Sequence, residues 1–316
     1  MATEISFPPP EAYRRAARRL RRWLNACVLC PRACKVDRLA GERGFCRAAG
    51  ETAAVNVAQL HFGEEPPISG HQGSGTVFFA GCTLACRFCQ NYAISQEGWG
   101  EELGPEELAL VFMRLKLGGA HNLNLVTPTP HLVVILEALA IARENGCDLP
   151  VVYNTSGYER AATIRRLEGL VEIYMPDYKY ADDEVAARLS QAVDYVKHCR
   201  RALAEMCRQV GPLQVDRQGV ATRGVLVRHL VLPNGLSGSD RVLEDLVELC
   251  GPQVWVSLMA QYYPAYKAPR TPGLERRLTR REFLEARRAL ERAGIENGFV
   301  QDLAAADGEH LPGFKL

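Results

Sequence analysis

Three cysteines, Cys82, Cys86 and Cys89, stand in the run Gly81-Cys-Thr-Leu-Ala-Cys-Arg-Phe-Cys-Gln-Asn-Tyr92. Sulfur is a soft ligand, and three thiolates in Cys-x3-Cys-x2-Cys spacing can wrap one face of an iron–sulfur cube. Three is one short of a full set. The fourth iron then has no protein ligand and can bind an outside molecule. A zinc knuckle or buried core thiols are the plainer readings, but zinc sites usually show four ligands in paired spacing. A second set lies in Cys27-x2-Cys30-Pro-Arg-Ala-Cys34 and Gly41-Glu-Arg-Gly-Phe-Cys46. Four thiolates close a coordination shell, so Cys27, Cys30, Cys34 and Cys46 read as a complete metal site, either a second [4Fe–4S] cluster or zinc. Four cysteines remain, Cys147, Cys199, Cys207 and Cys250. Most buried free cysteines are simply small apolar residues.

Positioning these groups needs a scaffold. Thr76-Val-Phe-Phe-Ala80 is a buried strand that runs straight into the three-cysteine loop. Asn122–Thr127, Leu149–Tyr153, Val171–Met175, Gly224–Leu230 and Gln253–Leu258 follow as further strands. Helical patterns separate them, over Pro105–Leu117, His131–Asn145 and Ala186–Val210. Strands alternating with helices argue for parallel βαβ units. Right-handed crossovers then wrap the strands of this α/β chain into an open or closed barrel, whose chemistry collects at the strands' carboxyl ends. Ahead of it, Glu11–Ala26 has an apolar stripe and an arginine-rich face, read as a solvated helix packed on the body. The expected division is 1–65 for the helix and four-cysteine module and 66–316 for the barrel.

The chain has 316 residues, 47% of them hydrophobic, and a net charge of +1. That is enough for one large core, and no global field recruits nucleic acid or an acidic membrane. No apolar signal region opens the sequence and no apolar run reaches membrane-spanning length. Clustered cysteines in such a chain favour metal over disulfides, so a reduced, cytoplasmic, oxygen-sensitive protein is expected. Arginine far outnumbers lysine, a bias of GC-rich coding.

The three-cysteine motif, with Phe88 as the aromatic before its last member, resembles that of the radical S-adenosylmethionine (SAM) superfamily. Glu64-Glu-Pro-Pro-Ile-Ser-Gly70, Gly119–Thr129, Val152-Tyr-Asn-Thr-Ser-Gly-Tyr158, Asp177-Tyr-Lys179 and Arg228-His-Leu-Val-Leu-Pro233 are similar to its branch related to pyruvate formate-lyase activating enzymes. That branch carries an N-terminal Cys-Pro-Arg-x-Cys module. The resemblance implies an α/β partial (β/α)6 barrel, a SAM-binding [4Fe–4S] cluster on Cys82, Cys86 and Cys89 and reductive cleavage to a 5′-deoxyadenosyl radical. Thr127-Pro-Thr-Pro130 occupies the place of a Gly-Gly-Glu-Pro turn that meets the methionine amino group. The acidic position is Thr129 here, so a hydroxyl or backbone carbonyl must serve. Lys179 is expected to pair with the methionine carboxylate and Asp177 to organise the polar groups around it; a surface ion pair worth little is the plain alternative. Asn154, Thr155 and Ser156 could bond ribose or substrate. Arg228 and His229 alternate on one strand, so one faces the interior and the other does not. Gln261, Tyr262 and Tyr263 are expected at the site mouth.

In the branch pattern an aromatic or histidine commonly stands where Cys207 is. A thiol has a weak S–H bond and can return a hydrogen atom to a substrate radical. The leading expectation is therefore hydrogen abstraction from a small polar molecule. Its finest form is carbohydrate epimerisation in antibiotic tailoring, with Cys207 as donor and a flavodoxin or ferredoxin as external reductant. The alternatives are an activase that takes hydrogen from a glycine of a partner enzyme, and a non-catalytic electron carrier. A carrier gains nothing from an unligated iron. No membrane or nucleic-acid partner is expected.

Overall fold

The computed structural model describes residues 7–303. The outer ends of the two expected divisions, 1–6 and 304–316, lie outside the described residues. Among the described residues there are ten strands: β1 (Ala53–His61), β2 (Ser74–Phe79), β3 (Glu101–Leu103), β4 (Leu123–Val126), β5 (Val151–Thr155), β6 (Ile173–Pro176), β7 (Gln214–Val215), β8 (Ala221–Leu230), β9 (Trp255–Met259) and β10 (Asn297–Val300). The helices are α1 (Pro10–Arg21), α2 (Pro66–Ser69), α3 (Tyr92–Ser95), α4 (Pro105–Leu117), α5 (Leu132–Glu144), α6 (Ala161–Ile164), α7 (Asp183–Ser190), α8 (Tyr195–Val210), α9 (Ser239–Cys250) and α10 (Arg280–Arg292).

The strand order is β10-β9-β8-β6-β5-β4-β2-β1-β3, with β7 paired to β8. From β2 to β10 every pairing in that order is parallel; β1 meets β2 and β3 antiparallel. The sheet has two free ends, so it is open. Its six central strands are the six read from the sequence, with ends shifted by up to three residues. β1 falls in the expected N-terminal segment yet pairs with β2, so the sheet reaches across the expected division at residue 65.

Strand side chains alternate between two faces. Val77, Phe79, Leu123, Leu125, Val151, Tyr153, Tyr174, Val225, Val227 and Val256 face outward into the main core, against Leu108 and Phe112 of α4, Val133 and Leu136 of α5, Leu203 and Met206 of α8, and Leu243 and Leu246 of α9. The same core takes Tyr13, Leu20 and Leu24 of the N-terminal segment. The residues between point the other way. Val152, Ile173, Met175 and Leu226 pack with Ile68 as an apolar floor. Two residues further along the strands, this inner face turns polar.

The helical stretch expected over Ala186–Val210 is two helices. Gln191 and Asp194 both take left-handed backbone (φ 52° and 53°), which no α-helix accommodates, and the chain turns between α7 and α8. The break matters because the end of α7 holds the cysteine loop. The α1 arginines behave as solvated charges, with Arg14 paired to Glu144 and Arg18 to Glu11, each at 2.5 Å.

Candidate active site

β2 delivers the chain to Gly81, whose backbone is left-handed (φ 80°). A Cβ there would strike the carbonyl oxygen of Cys46, so only glycine lets the loop turn against the N-terminal module. The loop is then pinned by backbone bonds, Ala85 N–H to Ser190 O (3.0 Å) and Arg87 N–H to Leu189 O (2.8 Å). Cys82 accepts a hydrogen bond from Leu84 N–H, Cys86 from the Ser190 hydroxyl, and Cys89 lies 3.1 Å from Ser95 Oγ. None of the three is in a disulfide.

A cavity of about 220 Å³ opens beside this loop at the carboxyl ends of the strands. Phe78, Val126, Asn154, Leu230 and Met259 contribute from five strands, and Cys86, Phe88, Cys89, Gln90 and Asn91 from the loop. Arg228 sits at its centre. It donates from Nε to Asp177 Oδ1 (3.0 Å), from Nη1 to Glu64 Oε2 (3.1 Å) and from Nη2 to Asn154 Oδ1 (2.6 Å). Lys179 Nζ donates to the second oxygen of Asp177 at 2.5 Å, and Asn124 Nδ2 to Glu64 Oε1 at 2.9 Å. Two cations and two carboxylates from β8, the end of β6 and the loop after β1 thus form one network. Burial pushes the Asp177 carboxyl up, but Lys179 and Arg228 outweigh it and hold it below the usual range. Burial opposes the Lys179 ammonium, but Asp177 and Cys86 outweigh that and hold it charged.

The structure separates the predicted residues. Phe88, Asn154, Asp177, Lys179, Arg228 and Gln261 all line the cavity, as does Tyr262. His229 does not. It is the outward partner of Arg228, fully buried, with Nδ1 2.6 Å from Tyr178 O and Nε2 2.9 Å from Ser239 Oγ, and burial pushes it down to about 4. Thr155 also points outward, donating to Glu159 Oε1. Thr129 Oγ1 donates to the same carboxylate oxygen and lies 2.8 Å from the Tyr153 hydroxyl. Thr127 takes left-handed backbone (φ 61°), and its N–H bonds Asn154 O rather than facing the cavity. Ser156 accepts from Tyr195 through its carbonyl. These residues build the walls rather than line the site.

Cys207 needs the firmest correction. It lies on α8, which packs on the outer face of the sheet, and its Sγ is bonded to Cys250 of α9. The α8 positions Cys199, Leu203, Met206 and Val210 turn to the core, so Cys207, one residue past Met206, faces α9 instead. Cys207 cannot reach a molecule in the cavity. Glu64 lines the cavity although it was not among the expected site residues, and Asn124, which does not line it, supports Glu64 from behind. The Glu64-Glu-Pro-Pro run hinted at Glu64; Asn124 had only its alternation with buried Leu123 and Leu125 as a signal.

The N-terminal cysteines are gathered too. Burial first, then the neighbouring Cys46 and Cys27, push the Cys30 thiol up. Burial likewise raises Cys46, which senses Cys27 and Cys34. Ala33, Lys35 and Arg47, flanking Cys34 and Cys46, all hold left-handed backbone (φ 42°, 58° and 61°), a local strain that wraps the chain around the thiols. Buried Arg38 lies beside Cys27 (Nη1 to Sγ 3.8 Å). Its other bonds go to the Ala49 and Pro130 carbonyls, and its Nε has no partner. Among the described residues no three His, Cys, Asp or Glu side chains converge on a single-ion site.

Comparison with known proteins places the chain. The radical SAM superfamily model matches residues 76–211. An uncharacterized protein of Methanocaldococcus jannaschii is 32% identical over 279 residues, 85% of this chain and 75% of that protein. A second uncharacterized protein of the same organism is 29% identical over 157 residues, 45% of this chain and 46% of that one. Among solved structures, HydG, a maturase of the [FeFe]-hydrogenase, aligns with a TM-score of 0.48 and 16% identity. The match covers 69% of this chain, which spans about half (49%) of HydG. Methylornithine synthase aligns with a TM-score of 0.42 and 16% identity, covering 74% of this chain and 71% of that one. The chain belongs to the radical SAM superfamily. It is accordingly a radical SAM enzyme, whose cofactors are a [4Fe–4S] cluster and SAM.

The residues present fit that cluster. Three thiols free of disulfides share one short loop, Cys86 buried and Cys82 and Cys89 half-buried, with Cys86 and Cys89 lining the cavity; desolvation and the neighbouring Cys86 push Cys82 up to about 12 and Cys89 to about 11. Bare thiols there stay protonated; a bound cluster is what makes them thiolates. Among the described residues no helix is long and apolar enough to cross a membrane.

Proposed function

We propose that this enzyme abstracts a hydrogen atom from a carbon of a small polar molecule bound over the Arg228 network. The observation that carries the reading is that this network lines the same cavity as Cys86 and Cys89. Cys82, Cys86 and Cys89 would hold the cluster, which when bound would supply the electron for reductive cleavage of SAM to methionine and a 5′-deoxyadenosyl radical. Lys179 is our assigned partner for the methionine carboxylate, because it is the buried ammonium nearest the cysteine loop and senses Cys86. Arg228 and Glu64 place charge of both signs on the wall of the cavity. Gln90, which donates to Gln261 O at 2.9 Å, ties the loop to the far wall and keeps the mouth narrow.

The cavity holds no thiol other than Cys86 and Cys89. Epimerisation with hydrogen return from Cys207 is therefore not the form we favour; the product forms without a thiol from this chain. We also assign a second iron–sulfur cluster to Cys27, Cys30, Cys34 and Cys46, on the strength of Arg38. A buried guanidinium that pairs with no carboxylate among the described residues needs negative charge close by, and a thiolate-bound cluster would bring it.

The test uses reconstituted protein under anaerobic conditions with SAM and dithionite, together with cell extract from deuterium-grown cells split into low-molecular-mass and protein fractions. Deuterium should enter 5′-deoxyadenosine from the low-molecular-mass fraction. Transfer from the protein fraction alone would replace this reading with the activase.

A further inference from the structure

The strongest unexplained surface is a cleft between α6 and α8. Arg160, Arg165, His198, Arg201 and Arg208 line it, with Glu205 as its acidic member. Arg208 is satisfied by Glu205 (2.7 Å) and Glu168 (2.9 Å), and Arg160 by the carbonyl of Val28 (2.5 Å). Arg165 and Arg201 are exposed and, among the described residues, form no ion pair, although Arg165 lies near enough to help Arg208 lower the Glu205 carboxyl. Arg166 stands beside the cleft with its guanidinium over Trp23 at 4.5 Å. A chain of net charge +1 thus concentrates cations in one concave place.

The location gives the concentration a purpose. Val28, which Arg160 grips, lies between Cys27 and Cys30, and Thr163 donates to the neighbouring Leu29 carbonyl at 2.6 Å. The floor of the cleft is therefore the outer wall of the four-cysteine module. On its inner side the same module touches the catalytic loop: Arg32 Nε donates to Thr83 O at 2.9 Å, and Gly81 lies against the Cys46 carbonyl. The basic surface, the four-cysteine module and the catalytic loop are joined in that order by these contacts.

We infer that this cleft docks a small acidic one-electron donor protein, a flavodoxin or ferredoxin type, with the N-terminal cysteines as the point where its electron enters. The inference rests on the reading of those cysteines as an iron–sulfur site. The donor leaves oxidised by one electron, the chain gains that electron, and it is consumed in breaking one carbon–sulfur bond of SAM. Opposite charge on the two partners steers the encounter and makes it salt-dependent.

The experiment compares wild type with Arg165→Glu/Arg201→Glu, both reconstituted. A surface control, Arg217→Glu/Arg280→Glu, changes the net charge equally on other faces. Binding of flavodoxin by calorimetry and reduction by flavodoxin hydroquinone in stopped flow are measured at low and high salt. The cleft variant should bind about tenfold or more weakly at low salt and lose most of its salt dependence, with dithionite-driven SAM cleavage unchanged. The control should behave as wild type. Unchanged flavodoxin binding and reduction in the cleft variant would overturn the docking site, as would equal impairment of the control. Loss of affinity for a single-stranded RNA oligonucleotide with flavodoxin binding intact would overturn it in favour of a nucleic-acid surface. Metal analysis separates the underlying reading: about four iron with one zinc per chain, rather than about eight iron, would sink the entry-point cluster whatever the cleft binds.

Discussion

Replacing Arg228 by methionine would remove the one cation that joins both carboxylates of the site. Methionine keeps the length and apolar bulk of the stem, so packing changes least. The guanidinium makes three bonds, to Asp177, Glu64 and Asn154, and the side chains of Arg228, Asp177 and Glu64 are only 16%, 14% and 9% exposed. Breaking a buried pair by removing one partner costs about 3–5 kcal/mol, because the other charge stays behind unpaired. Asp177 retains Lys179, so the loss should fall near the lower end, about 3 kcal/mol, with Glu64 bearing most of it. Urea unfolding of the reconstituted protein would read it as a lower midpoint at unchanged slope. Adding Glu64→Gln should restore part of the loss, with a coupling of about 1–3 kcal/mol. The pH dependence has a definite sign. Asp177 is held below its ordinary pKa in the native protein, so its stabilisation is complete above that ordinary value and fades as pH falls through the lowered one. Without Arg228 that stabilisation shrinks, and protonation relieves the stranded carboxylates. The gap between variant and wild type should therefore be widest near neutrality and close toward acid. A loss below about 1 kcal/mol, or strict additivity with Glu64→Gln, would refute the network as a coupled unit.

Lys179→Ala should weaken SAM binding by about 1–3 kcal/mol in calorimetry, the worth of one charge-assisted hydrogen bond; unchanged affinity and unchanged 5′-deoxyadenosine formation would remove Lys179 from the site. Burial pushes the Glu159 carboxyl up from 4.5 to about 7, against the Thr129 and Thr155 hydroxyls. A raised carboxyl stabilises fully below its ordinary value and loses that contribution up to the raised one, so stability should fall by about 3 kcal/mol across that window. Glu159→Gln should flatten the fall, and a profile identical to wild type would show that Glu159 does not titrate there.

Much of the chemistry was already legible in the primary structure, because spacing within a short loop is local information. Cys82, Cys86 and Cys89 lie within eight residues, and no packing can carry them far apart. The six parallel strands were legible for a similar reason: buried β runs between helical patterns leave few ways to connect. Alternation even required that Arg228 and His229 face opposite ways. Which of them faces the cavity was a tertiary outcome, decided when β8 paired with β6 and β9 and turned Arg228 toward Asp177 and Glu64. The fate of Cys207 was decided the same way. A helix that returns over the outer face of a sheet puts its residues on that side, whatever their chemical promise. Contacts between distant segments, Glu64 on Arg228 and Cys46 on Gly81, leave no periodic mark in a sequence. They exist because burying one apolar core brings the segments together, and only the folded chain shows which polar groups arrive as neighbours.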